Sequence, residues 1–404
     1  MLLRHSLAVL ASAILLTSAF TATAEEVDAP FTGSAEAGTG FVEFRLGYYN
    51  NADNGDGNPF LDEELTVVEP IALIDYNITD RVAAWFQFSY DSVSSASIDR
   101  LSKTDNQSGA SGDYYYGFDF GARYEIDENR RAGGFVNFSN EYDYASVGFG
   151  GDFAQDFGNK DATVKLSANA FFDKVDVILF NGREPGVDDR TSISTTLSWY
   201  QIVNPRVHAE LGATFGYQTG FLETAFNAVV VEDPGDDRNP SLDNRARGTE
   251  FTEKMPNTRL RGSLFGRTRY SVRPGTALEL GGRLYNDSWG IFSFTLEPRI
   301  QQQVFDRVML KAGYRYYNQT AADDFKSHFT SLPSKRTQDS DLGKFGSHGI
   351  NAGVSWEPIR TLKLDFTAGY TFRDDGIDHL LLSVGFRKSF DARPIAEMLK
   401  RVWQ

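Results

Sequence analysis

The residues with the chemistry to act as bases, nucleophiles or ligands are few. Five histidines occur in the chain. With His5 set aside, His208, His328, His348 and His379 are left to serve as general bases or metal ligands. A hydrolase of the esterase type needs a Ser–His pair oriented by a polar third group. No nucleophile elbow or matching Ser/His spacing is present. His208 shares its strand face with Glu210, which reads as a solvated pair of side chains. The carboxylate pairs Asp236-Asp237 and Asp374-Asp375 lie between patterned segments and read as solvated acidic loops. The run Asn51-Ala52-Asp53-Asn54-Gly55-Asp56-Gly57-Asn58 offers oxygen ligands of the kind Ca²⁺ takes. It lacks the Gly and terminal Glu placement of an EF-hand loop, so a plain loop is expected there. The expectation is no enzyme, no cofactor and no metal.

The elements that would carry these residues have a period of two. Leu362, Leu364, Phe366, Ala368, Tyr370 and Phe372 alternate with Lys363, Asp365, Thr367, Gly369, Thr371 and Arg373. Successive side chains of a strand point to opposite faces, so one face is apolar and the other polar. Leu380, Leu382, Val384 and Phe386 repeat the pattern, as do Ile350, Ala352, Val354 and Trp356. Upstream it recurs at Val207–Tyr217, Phe118–Ile126, Val164–Phe172 and Val308–Tyr316. Further strands fall near 41–49, 65–76, 81–91, 131–139, 143–155, 191–203, 257–272, 276–288 and 290–301. The total is about sixteen, several of them ten or more residues long, enough to cross a bilayer when tilted. A soluble β-sandwich uses strands of roughly five or six residues.

Tight turns and longer loops take turns along the chain. Pro, Gly, Asn and Asp signals mark tight turns at Asn77–Asp80, Asp127–Arg130, Gly158–Asp161, Asn204-Pro205, Arg273-Pro274-Gly275, Gln302–Asp306 and Pro358–Thr361. Between them lie connections at 50–64, 92–113, 174–189, 218–256 and 319–346, with short ones near 139–142, 287–289 and 374–377. Short turns at one end and longer loops at the other define an outer-membrane β-barrel with its turns in the periplasm. An even number of strands returns both ends of the barrel to that side. Trp199, Tyr217, Tyr314, Tyr316, Tyr317, Trp356, Tyr370 and Phe372 gather at strand ends, where interfacial girdles form. The loop at 218–256 is long enough to fold inward as a constriction or to stand outside as a partner surface.

Composition agrees. Apolar residues make up 41% and aromatic residues 14%, with 37 glycines, in a chain of 404 residues. Half of a barrel's strand residues face water, which keeps mean hydropathy low. There is no cysteine, hence no disulfide, thiolate metal site or lipid-anchor cysteine. A formal charge of −15 argues against nucleic acid as a partner. Residues 1–24 read as a cleaved signal peptide: Arg4 and His5, the apolar run Leu7 to Leu16, then Ala22-Thr23-Ala24 before Glu25-Glu26. That run is too short for a retained membrane helix, which needs about twenty apolar residues. The expected organisation is a periplasmic segment at 25–40, a transmembrane antiparallel barrel at 41–390 and a tail at 391–404. The last strand ends like an outer-membrane insertion signal, with Gly385 and the closing aromatic Phe390, although Lys388 occupies a place usually apolar. Beyond Pro394, Ile395, Met398, Leu399, Val402 and Trp403 fall on one helical face, predicting a short amphipathic helix at the interface or in the barrel mouth.

Four segments together carry a family resemblance: Tyr90–Asp99, Asn286–Ile291, Tyr314–Ala322 and Arg387–Phe390. They resemble a family of bacterial outer-membrane barrels known only as a domain of unknown function, thirty-five seventy in that series. The similarity covers most of residues 40–390. It implies the barrel and supplies no activity. It also implies company: members look as if they often accompany a small lipoprotein, a thioredoxin-like protein and a flavin transferase, which suggests a redox setting. The terminal helix departs from the family's usual end at the aromatic.

On the inward face the pattern is one of charge. Arg259, Arg261, Arg267, Arg269, Arg283, Arg299, Lys311 and Arg315 fall on four consecutive strands, interrupted by Glu279 and Glu297. The first half carries Glu43, Asp91, Asp119, Glu125, Asp173 and Glu210 on that face, with Arg45, Arg123 and Lys165 among them. Opposed walls would set up a transverse field favouring small polar or anionic solutes. Alternatively the charges pair locally and fill the lumen. The expected function is a porin-like channel of a Gram-negative outer membrane, contacting lipid and the barrel-assembly machinery. The alternative is a non-enzymatic scaffold for a small lipoprotein or periplasmic redox partner.

Overall fold

A computed structural model describes residues 36–53, 64–95, 113–232 and 248–393. The signal peptide, most of the segment before the barrel, residues 54–58 of the Asn/Asp/Gly run and the terminal amphipathic helix lie outside the described residues. The first half of the fold comprises β1 (Thr39–Asp53), β2 (Leu65–Asn77), β3 (Val82–Ser95), β4 (Asp113–Glu125), β5 (Arg130–Asn140), β6 (Tyr144–Phe157), β7 (Ala162–Val177) and β8 (Gly186–Asn204). Then follow β9 (Val207–Gly220), the short β10 (Ala228–Glu232) and β11 (Gly248–Thr252), and β12 (Thr258–Arg273). The chain continues through β13 (Thr276–Asp287), β14 (Phe292–Phe305), β15 (Val308–Gln319), β16 (Phe345–Ile359), β17 (Leu362–Arg373) and β18 (Ile377–Asp391). All but β10 and β11 close one antiparallel barrel of sixteen strands, in which β12 pairs with β9 and β18 with β1.

Alternation decides what faces where. On β1, Phe44 and Leu46 are 48% and 42% exposed, while their neighbours Glu43 and Arg45 are only 9% and 6% exposed. The inverted arrangement, charged side chains covered and apolar ones open, holds around the barrel. Leu211, Leu264, Leu280, Ile350 and Val384 all stand outward and exposed. A hydrocarbon layer is the medium that such a face requires. Among the described residues no helix is long and apolar enough to cross a membrane.

Turn chemistry fixes one rim. Gly275 has φ of 78°, a left-handed conformation that favours glycine, and it closes the two-residue connection between β12 and β13. The same rim holds both ends of the barrel. Gly38 donates its amide to Asn77 and accepts from Ala392, and Thr39 pairs with Asp391. At this seam Phe390 lies across Gly40, where a Cβ would come within 2.9 Å of its ring, and stacks on Tyr76 at 6.3 Å between centroids. Gly385 faces inward against the Arg45 guanidinium, 3.3 Å from where its Cβ would be.

The opposite rim carries a feature that alternation alone does not reveal. The β10–β11 hairpin lies within the long connection between β9 and β12, and packs on the connection between β15 and β16. Val231 bridges to Phe329 and Lys254 to Arg336. Beneath lies an apolar core of Leu222, Met255, Trp289, Ile291, Ala322 and Leu342, with Tyr285 and Phe325 packed against it. Polar contacts lock the two connections together. Asn227 donates to Asp339 at 3.1 Å, the Val230 amide to Gln338 at 2.7 Å, and Glu253 accepts from the Thr224 amide and the Thr337 hydroxyl. This cap is tied to lumen-facing side chains at the rim. Gln319 donates to the carbonyls of Asp341 and Gly343, and Arg373 to the Asp341 carboxylate at 2.6 Å.

Candidate functional site

The charged inner surface of the barrel is the candidate site. Register arranges it in rows across the strands. One row runs Glu210, Arg267, Gly281, Glu297; the next runs His208, Arg269, Glu279, Arg299, Gly313, Asn351. Acid and base are thereby register partners at Glu210/Arg267, Arg269/Glu279 and Glu279/Arg299, each pair with its Cβ atoms about 5 Å apart.

Local pairs follow from this spacing. Arg267 donates to Glu210 at 2.7 Å, Arg299 to Glu279 at 3.2 Å and to Glu297 at 3.0 Å, and Arg315 lies 3.1 Å from Glu297. Glu43 accepts from Arg45 at 2.6 Å and from Arg387, across the seam, at 2.7 Å. Asp173 is held by Arg190 at 2.7 Å, and Asp119 accepts from Asn137 at 2.8 Å. Arg259 is ion-paired with Asp287 and lies over the Trp289 ring, 4.2 Å from its centroid. Arg269 donates to Gln301 at 2.7 Å. Lys311 and Glu125 occupy lumen positions of β15 and β4. Asp91 is buried, with one carboxylate oxygen lacking a hydrogen-bond partner.

Not every cation is neutralised. Among the described residues Arg283 has no carboxylate within ion-pair distance; it lies over the Phe265 ring at 5.6 Å. Arg261 likewise has none, and its Nε is buried without a hydrogen-bond partner. The wall of β12 to β15 thus keeps a positive surplus in spite of local pairing. Several partners escaped the sequence reading, namely Asp75, Asp287, Arg190 and Arg387. Their strand parity already placed them inward, but which acid meets which base depends on register and on the tilt of the strands.

The histidines divide by face. His208 and His379 point into the lumen, bonded to Tyr200 and to Tyr49, the latter at 2.6 Å. His348 bonds Tyr314 on the outer face, beside the aromatic ring of Tyr316. His328 sits in the cap against Glu232. Among the described residues no three His, Cys, Asp or Glu side chains are grouped to hold a metal ion.

Large lumen aromatics are accommodated by glycine. Trp85 lies over its register partner Gly121, where a Cβ would fall 2.2 Å from the indole. Phe135 covers Gly150, and Phe265 covers Gly212, in the same way. The rings lie flat along the wall instead of projecting across the opening.

A closed antiparallel barrel with an apolar exterior and a charged interior is a β-barrel of the outer-membrane type. The chain belongs to the family described as protein of unknown function (DUF3570), whose model matches residues 109–375. No curated protein matches it. Solved structures with a similar fold include a bacterial polysaccharide outer membrane secretin, at 11% identity and a TM-score of 0.49, over 87% of this chain and 98% of that one. Another is the siderophore receptor PirA from Acinetobacter baumannii, at 9% identity and a TM-score of 0.44, over 85% of this chain. The present chain spans 53% of that receptor's length. A third is the CymD monoaromatic hydrocarbon channel, at 12% identity and a TM-score of 0.39, over 88% of this chain and 89% of that one.

Proposed function

We propose that the protein is a non-enzymatic, porin-like channel of the bacterial outer membrane, exported by a cleaved signal peptide, for small polar or anionic solutes. The observation that carries this reading is the positive surplus on the lumen face of β12 to β15, where, among the described residues, Arg261 and Arg283 have no carboxylate within ion-pair distance. Fixed cations in a narrow, water-filled passage raise the local concentration of anions and lower their barrier to entry. The flat-lying aromatics keep bulk away from the middle of the passage.

Planar-bilayer recording of the refolded protein tests it. Stepwise conductance with a preference for chloride over potassium is expected. Arg267→Gln with Arg269→Gln should lower that preference by about twofold. A folded sample that never conducts would overturn the reading. A silent barrel that co-purifies with a small lipoprotein or redox partner would favour the scaffold instead. The cap, packed on an apolar core, would then be the surface that holds such a partner.

A further inference from the structure

Three arginines, Arg190 on β8 and Arg259 and Arg261 on β12, lie on the lumen wall near the capped rim. Arg190 donates to Asp173 at 2.7 Å and to the Tyr144 hydroxyl at 3.1 Å. Arg259 takes Asp287. Arg261 lies one pleat further along β12, within electrostatic reach of both other arginines. Its register partner on β13 is Asp287 itself, the natural counter-ion. That carboxylate is already saturated. It accepts from Arg259, from the Tyr285 hydroxyl at 2.8 Å, and from the Trp289 and Ile291 amides at 3.0 Å each. A carboxylate has about four lone-pair sites, so none is left for Arg261. Three guanidiniums thus share two carboxylates, and the remaining positive charge sits on Arg261. A guanidinium does not shed its proton in proteins, so this charge calls for an anion from outside.

The wall beside Arg261 has room for one. Its partner on β9 is Gly216, which places no side chain in the lumen. Among the described residues a Cβ there would meet the Cβ of Arg261 at 3.6 Å and the carbonyl of Ile193 at 3.8 Å. Across Gly216, on β8, the row continues with Ser194. A planar cation and a hydroxyl therefore flank a lumen position that no described side chain fills; Arg261 is half-buried as a residue, with its Nε enclosed and unpartnered. Planar donor pairs of arginine match two oxygens of one oxyanion.

We propose that Arg261, with the hollow at Gly216 and the Ser194 hydroxyl, is a binding site for a small oxyanion, a carboxylate or phosphate group of a solute in transit. The inference rests on the channel reading and specifies what the passage holds on to.

The test uses the folded full-length barrel in detergent and in bilayers, with inorganic phosphate and succinate as probes and chloride as background. Each probe is titrated by calorimetry, and its effect on chloride conductance is recorded. At least one probe should bind saturably and reduce the conductance with the same midpoint. Arg261→Gln should weaken that binding at least tenfold. Gly216→Val, which fills the hollow and keeps the charge, should also weaken it. Arg206→Gln, in a periplasmic turn, should not. Phosphate alone or succinate alone would identify the group recognised. A conducting, anion-selective channel that binds neither probe, or binds them equally after Arg261→Gln, overturns the site and leaves the channel reading intact. A silent barrel whose phosphate or succinate binding depends on Arg261 overturns the channel and keeps the site.

Discussion

Arg261 also has a consequence for stability. Like charges held together without enough counter-charge cost folding energy, and replacing such a group by an apolar one of similar volume is often stabilising. In phosphate-free buffer Arg261→Met should unfold at a higher denaturant midpoint than the wild type, by on the order of 1 kcal/mol. A lower midpoint would mean that the protein itself satisfies the charge. The Arg267–Glu210 pair, with side chains 32% and 22% exposed, is of the opposite kind. Water screens it, so Glu210→Gln should cost roughly 0.2–1 kcal/mol. Its main effect should be greater anion preference in the same bilayer recording. Selectivity unchanged within error would remove Glu210 from the passage. That these side chains face inward was legible from parity along β9 and β12. That Asp287 serves Arg259 and not its register partner Arg261 was not, because side-chain reach is a tertiary matter.

At the scale of elements, the strand pairs depend on small residues opposite large ones. Gly121→Ala would put a methyl group into the Trp85 indole, 2.2 Å from the nearest ring atom. Trp85 must then swing off the wall. A loss of about 1–3 kcal/mol is expected from urea unfolding of the folded barrel, with altered indole emission. An unchanged midpoint would show that the ring moves freely. The cap answers to different forces. Glu253 is 3% exposed and accepts from Thr224 and Thr337, so it joins the two long connections. Glu253→Ala leaves both donors buried and unmatched, at about 1–3 kcal/mol. Hydrogen exchange should then speed up at the amides of Val230, Lys254 and Arg336 while the barrel strands stay protected. Equal loosening of cap and barrel would contradict the cap as a separate unit.

For the whole molecule, closure is what makes an inside. Sixteen strands pair in a ring, and β1 meets β18 over the full span from Thr39↔Asp391 to Asp53↔Ile377. A barrel of this size leaves an aqueous lumen unless something obstructs it. The cap packs at the rim beside β12 to β17, tied to the barrel through Gln319 and Arg373. Replacing residues 221–257 by a short turn should leave a heat-modifiable barrel with larger conductance steps. Steps of unchanged size would place the narrowest point elsewhere in the lumen.

Sixteen strands, the tight-turn rim and the inward parity of nearly every charge could be read from one dimension. They depend on a period of two and on turn chemistry, both local properties of the chain. The β10–β11 hairpin could not, because Val229, Val230 and Met255 are buried against a connection far along the chain, as the Val230–Gln338 bond across 108 residues shows. The choice of ion pairs could not either. Register and tilt decide which of several nearby acids an arginine reaches, and they are set only once the ring has closed.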